Sequence, residues 1–83
     1  MNYLEVGETI LADDNNEYVC YASIPYQEKM YAFLVSTKDK NIKLIAEQKN
    51  VDGELALEIV ENENLQSKLK DLFLEKIGKD INN

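Results

Sequence analysis

Two apolar runs with strand-like alternation occupy the middle of the chain, at residues 17–26 and 30–36, and a polar break at 27–29 separates them. Successive side chains of a strand point to opposite faces. Neither face of either run is wholly polar, which predicts two well-buried strands joined by a turn. Five even-numbered residues of the first run are predicted to share one face: Tyr18, Cys20, Ala22, Ile24 and Tyr26.

Turn-forming residues delimit three further strands, which we predict at residues 5–12, 42–49 and 54–60. The tetrad 13–16, Asp-Asp-Asn-Asn, predicts a hairpin turn after the first of them, because Asp and Asn side chains bond to nearby backbone amides. Asp52-Gly53 predicts a second hairpin, because glycine accepts a positive φ. The last strand alternates most clearly and is therefore predicted to be half-buried.

The apolar spacing changes to that of a helix after residue 62, and we predict a helix over 63–77. Asn62 can cap its first turn, and Gly78 is predicted to end it. One stripe collects the apolar residues Leu65, Leu69, Leu72, Phe73 and Ile77, whereas Leu74 lies partly off the stripe and Ile81 beyond the predicted end. The stripe is expected to pack on the sheet.

These elements predict an α+β fold, an antiparallel β-meander of about five strands with one C-terminal α-helix packed on one face. Every connection is short enough to join adjacent antiparallel strands, and residues 1–83 are expected to form a single small domain. Pro25 is best accommodated near the end of its strand. The meander leaves one sheet face partly exposed and leaves two edges that charge, proline or a partner must protect.

The length and charge of the chain limit what it can do. With 83 residues and 45% apolar residues we expect modest stability, and a homodimer is one way to increase it. The net charge is −7, and residues 1–28 contain six acids and no base. Sequence-independent nucleic-acid binding relies on Lys and Arg, so we expect no direct nucleic acid among the partners.

The residues favour no catalytic, cofactor or metal site. The chain has no histidine, its glycines are isolated, and its one cysteine, Cys20, is predicted to be a buried structural thiol. The acids at 13–14 fit a turn better than a calcium loop, which would also need a glycine and a distal glutamate. We find neither a signal peptide nor a membrane span, and a cytoplasmic location is the expectation.

The pattern of the chain resembles that of the YrzB-like family of small acidic proteins of low-GC Gram-positive bacteria. The resemblance spans residues 5–77 and is carried by Thr-Ile-x-x-Asp-Asp at 9–14, Glu-Tyr-Val at 17–19, the strand around Tyr31, and Leu-x-Leu-Glu-x-Val at 55–60. It implies a bacterial cytoplasmic protein with this fold. It supplies no site, because the family has no established biochemical activity.

We therefore expect a non-enzymatic protein-interaction module, from a bacterium or a phage, that binds a protein partner through a sheet edge or the exposed sheet face. The candidate contact residues are Glu5, Glu8, Asp13, Asp14, Glu17, Tyr21 and Tyr26. The tyrosines are also typical of sheet support, and the acids of simple solubility. The alternative is an acidic inhibitor that mimics nucleic acid, using these acids together with Glu54, Glu58, Glu61 and Glu63 against a basic cleft.

Overall fold

A curled, five-stranded antiparallel meander forms the body of the protein, and one helix packs on one of its faces. The computed structural model describes residues 3–81, with side chains described as far as Gly78. The elements are β1 (Thr9–Leu11), β2 (Glu17–Tyr26), β3 (Lys29–Ser36), β4 (Lys43–Val51), β5 (Glu54–Ile59) and α1 (Glu63–Ile81). The sheet order is β1-β2-β3-β4-β5, which confirms the predicted α+β meander with a single closing helix.

Three of the hairpin turns depend on residues with positive φ. Asp52 (φ 52°) and Gly53 (φ 83°) form the two-residue turn between β4 and β5, so the Asp-Gly prediction is confirmed. Gln27 (φ 48°) and Glu28 (φ 67°) form the equivalent turn between β2 and β3 without a glycine. Asn15 (φ 65°) lies in the five-residue connection between β1 and β2, where its amide donates to the Ala12 carbonyl at 2.9 Å.

The first strand is shorter than predicted, because a turn and a bulge occupy its expected start. The Glu8 amide bonds to the Glu5 carbonyl at 3.0 Å, and Gly7 in this turn has a φ of 95°. The Gly7 amide donates to the Cys20 carbonyl and the Cys20 amide donates to the Glu8 carbonyl, both at 2.8 Å. Gly7 and Glu8 therefore lie opposite the single residue Cys20, which is a β-bulge with glycine in its left-handed position. The prediction of a strand from residue 5 was wrong.

A second bulge divides β2 and overturns the prediction that its even-numbered apolar residues share one face. Cys20 pairs with Leu34 and Ala22 pairs with Phe33, so Tyr21 is an extra residue without a partner in the register. Because one inserted residue reverses the side-chain alternation, Cys20 and Ala22 point to opposite faces. Tyr18 stays with Cys20, whereas Ile24 and Tyr26 follow Ala22.

Both faces of the sheet consequently carry an apolar cluster. On the side of α1, which we call the helix face, lie the buried residues Ala22, Ile24, Tyr31, Val60, Leu69 and Phe73. On the other side, which we call the open face, lie Leu4, Tyr18, Cys20, Ala32, Leu34 and Ala46. Cys20 is fully buried there, as its apolar run predicts.

The helix is anchored by its cap and by its apolar stripe. The Asn62 side-chain oxygen accepts the Leu65 amide at 2.9 Å, which confirms the predicted cap. Phe73 and Leu69 are buried against the sheet, and the Phe73 ring stacks on Phe33 with 5.4 Å between centroids. The predicted end at Gly78 was wrong: Gly78 has no positive φ, and the helix continues to Ile81. The side chain of Ile81 lies outside the described part of the chain.

Candidate functional site

An apolar groove runs along the open face between the two edges of the sheet. Its volume is about 490 Å³. Strands β1 and β5 end the sheet on either side, and within residues 3–81 they pair only with β2 and β4, respectively. The groove is lined by Ile10, Leu11, Ala12, Asp13, Asp14, Tyr18, Leu34, Leu44, Leu55, Leu57 and Ile59. The curl of the sheet thus brings apolar residues of the first and last strands to one site.

The segment before β1 covers one part of the open face and leaves the rest open. Leu4 is buried, and its amide donates to Gln48 Oε1 at 2.7 Å. Gln48 is itself buried, and its Nε2 donates to Ser23 Oγ at 2.8 Å. Because a buried amide side chain is costly without partners, these bonds fix the segment over the middle of β4. The groove begins beyond this cover, around Leu44.

Two large apolar side chains stand exposed on the rims of the groove. Leu11 of β1 has 69% of its surface exposed, and Ile59 of β5 has 42%. Ile59 lies on the same side of β5 as the half-buried Leu55 and Leu57. Leu11 alternates with Ile10 and Ala12, which pack on the open face, and borders the groove at its rim. Grouped apolar exposure of this kind is typical of interaction sites, whereas single exposed apolar residues are ordinary.

The β1–β2 turn adds negative charge at the edge of the groove. Asp14 accepts the Asn16 amide at 3.0 Å and the Tyr18 hydroxyl at 3.4 Å. The bond from the Asn16 amide is the main cause that lowers the pKa of Asp14, so the carboxylate is ionised at neutral pH. Burial, with the nearby Asp14 charge, raises the pKa of Tyr18, which remains a neutral donor. Among residues 3–78 no lysine forms an ion pair with Asp13 or Asp14.

The structure does not bring the predicted contact residues together on one surface. Asp13 and Asp14 line the groove. Glu8 accepts the Glu5 amide within the turn before β1, and Glu17 accepts the Thr37 hydroxyl beside β3. The two tyrosines belong to the helix face, where Tyr21 meets Phe33 edge to face and Tyr26 lies beside Tyr31.

The sequence reasoning missed the apolar residues of the groove. Leu55 and Leu57 carry the alternation of the predicted half-buried strand, and Ile10 lies in an apolar strand-like run. Neither pattern distinguishes burial in the core from burial by a partner. The signal that could have found them is the position of β1 and β5 at the two ends of a meander. Within residues 3–81, the edge strand that carries the exposed Leu11 has one side with no neighbouring strand.

The described residues form no recognisable metal centre. No three His, Cys, Asp or Glu side chains within this part of the chain are grouped so that they could hold a metal ion. Burial raises the pKa of the Cys20 thiol, whose Sγ donates to the Ala22 carbonyl at 3.4 Å. A thiol that is buried and protonated is a poor nucleophile. The helix of the described chain is not long and apolar enough for a membrane crossing.

Comparison with known proteins identifies no relative: no family model matches the chain, and neither the curated proteins nor the solved structures contain a significant match. The resemblance to YrzB-like proteins therefore stays a prediction. Any functional proposal must rest on the groove and its surroundings.

Proposed function

We propose that this protein is a non-enzymatic interaction module that binds an apolar segment of a partner protein in the groove between β1 and β5. The observation that supports the proposal is the apolar surface that Leu11, Leu55, Leu57 and Ile59 leave exposed around the groove. Burying apolar surface contributes about 25 cal/mol per Å². A partner that covers this groove gains that contribution without any change in the sheet.

The alternative, an acidic mimic of nucleic acid, has less support from the surroundings of its carboxylates. Glu58 is held by Lys49 at 2.6 Å, and the same lysine lowers the pKa of Glu58. Glu47 of the neighbouring strand lies 3.6 Å from Lys29. These lysines reduce the negative potential around β4 and β5, whereas a mimic needs a row of unneutralised charge.

Salt distinguishes the two functions. We would capture partners from a Gram-positive lysate on the purified chain and wash at about 0.1 M and about 1 M salt. A partner held in the apolar groove is expected to survive the high-salt wash. A basic nucleic-acid enzyme retained only at low salt would favour the mimic instead.

Four single variants then locate the contact. Leu11→Thr and Ile59→Thr remove apolar surface from the rims of the groove. Val6→Thr and Ile42→Thr remove it at sites of similar exposure outside the groove, 67% and 47% against 69% and 42%. Threonine keeps a high strand propensity at the two strand sites, and Val6 and Ile42 are exposed positions outside the strands, so the fold should be preserved in all four.

Each groove variant is expected to lower the affinity for the captured partner about tenfold, since one exposed apolar side chain contributes roughly 1–2 kcal/mol when it is buried. The two controls should change its affinity by less than about twofold. Equal affinity in all four variants would reject the groove as the binding site.

A further inference from the structure

We infer that the segment bound in the groove is a β-strand that pairs with the free edge of β5 and alternates apolar residues with lysine or arginine. This inference rests on the proposed function and specifies its partner. It follows from the backbone groups of β5, from the lack of protection of this edge, and from the charges beside it.

The backbone of β5 offers hydrogen-bonding groups to a new strand. The Val60 amide donates to the Ile45 carbonyl at 2.9 Å, and the register then pairs Glu58 with Glu47 and Ala56 with Lys49. Hydrogen bonds of an edge strand alternate between its two sides. The amides and carbonyls of the intervening residues therefore point away from β4: Leu55, Leu57 and Ile59.

Apart from the charges of Glu54 and Glu58, strand β5 lacks the usual protection of a sheet edge. Its six residues, Glu54–Ile59, contain no proline, no lysine and no bulge, and no other strand of the described chain covers it. The opposite edge, β1, has only three residues, and the bulge at Gly7 interrupts the regular strand pairing just before it. The longer and more regular β5 is thus the edge that can accept a strand.

The side chains of β5 determine the sequence of the incoming strand. Leu55 and Leu57 face the groove, so the residues beside them must be apolar. Glu54 and Glu58 alternate with them and are exposed on the other side of the strand. Glu58 already pairs with Lys49 at 2.6 Å, whereas no lysine among residues 3–78 forms an ion pair with Glu54. Opposite charges on neighbouring strands are favourable and like charges are unfavourable, so the residues beside the two glutamates should be basic.

The same charges disfavour a second copy of this chain as the occupant. Pairing of β5 with β5 would place Glu54 and Glu58 of one copy beside the same residues of the other. The net charge of −7 on each copy adds to that repulsion.

Two short peptides and a charge-reversed variant test the inference. One peptide alternates lysine with valine, the other alternates glutamate with valine, and each is about seven residues long. We expect the lysine peptide to bind the natural chain about fivefold more tightly than the glutamate peptide, because a lysine beside Glu54 is attracted and a glutamate there is repelled. Isothermal calorimetry at low salt gives both affinities.

The variant Glu54→Lys/Glu58→Lys should reverse the preference and bind the glutamate peptide more tightly. Misfolding cannot produce this gain of binding. The control Glu28→Lys/Asp71→Lys changes the net charge equally at exposed sites outside the groove and should keep the original preference. Circular dichroism would verify the fold of each variant.

A preference that does not reverse would overturn the strand-pairing inference, as would a concentration-dependent dimer that forms through β5. Even then, the proposed function is supported if Leu11→Thr and Ile59→Thr still lower the affinity for the captured partner. If those two variants also have no effect, both proposals fail.

Discussion

At the scale of single residues, the turns show where the chain is strained. Asn15 and Asp52 have positive φ, which these residue types tolerate because a short polar side chain can bond to the local backbone. Gln27 and Glu28 also have positive φ, yet neither residue type favours this conformation. The polar break between β2 and β3 is recognisable in the sequence as a turn, but its residues do not reveal that both must be left-handed.

The β2–β3 turn should therefore gain stability from residues that favour its conformation. The variant Gln27→Asn/Glu28→Gly is expected to raise the free energy of unfolding by about 1–2 kcal/mol, because Asn-Gly suits a turn with two positive φ angles. Urea denaturation measures the change. Asp52→Asn, in a turn that already contains a favourable pair, is the control and should have little effect. An unchanged midpoint in the double variant would mean that the turn is not strained.

The Asp14 carboxylate should make stability depend on pH in the acidic range. Its pKa is lowered below the ordinary value of 3.8, chiefly by the Asn16 amide. A lowered pKa in the folded state stabilises the protein above pH 3.8, and this contribution is lost as the pH falls through the folded-state pKa.

Melting temperatures of the natural chain and of Asp14→Asn test this dependence. Asparagine keeps an acceptor for the Asn16 amide but carries no charge. The natural chain should melt higher near pH 7, and the difference should shrink toward zero as the pH falls well below 3.8. A difference that grows on acidification would contradict the account.

At the scale of elements, the sequence predicts best those that have one clearly polar side. The helix and β5 have such a side, and the structure buries the opposite side of the helix and half-buries Leu55 and Leu57 on the opposite side of β5. Strand β2 is apolar on both sides, so no polar residue marks the extra position at Tyr21. The bulge was unpredictable for that reason, and with it the division of β2 between the two faces.

The packing of α1 on the sheet predicts unequal effects for two adjacent helix residues. Phe73 is 1% exposed and stacks on Phe33, whereas Leu74 is 55% exposed. Phe73→Ala is expected to lower the free energy of unfolding by about 3–5 kcal/mol. Leu74→Ala should lower it by less than about 1 kcal/mol, since more than half of Leu74 stays exposed. Denaturant titrations followed by far-ultraviolet circular dichroism compare them, and equal losses would argue against the docked position of the helix.

At the scale of the whole molecule, short connections made the meander predictable, but they did not reveal the groove. The groove depends on the curl of the sheet and on where the segment around Leu4 crosses it, and both involve contacts between residues distant in sequence. The acids at 13–14 were predicted as contact residues from charge alone. The apolar residues beside them looked like core, because burial by a partner and burial in a core require the same residue types.

The central claim is that the free side of β5 receives a strand, and amide hydrogen exchange measured by nuclear magnetic resonance tests it most directly. In the free chain, the amides of Ala56 and Glu58 should exchange slowly, because they face β4. The outward-facing amides of Leu55, Leu57 and Ile59 should exchange quickly. The lysine-valine peptide is predicted to slow these three selectively. If the peptide binds and their exchange stays fast, the edge of β5 is not where the strand pairs.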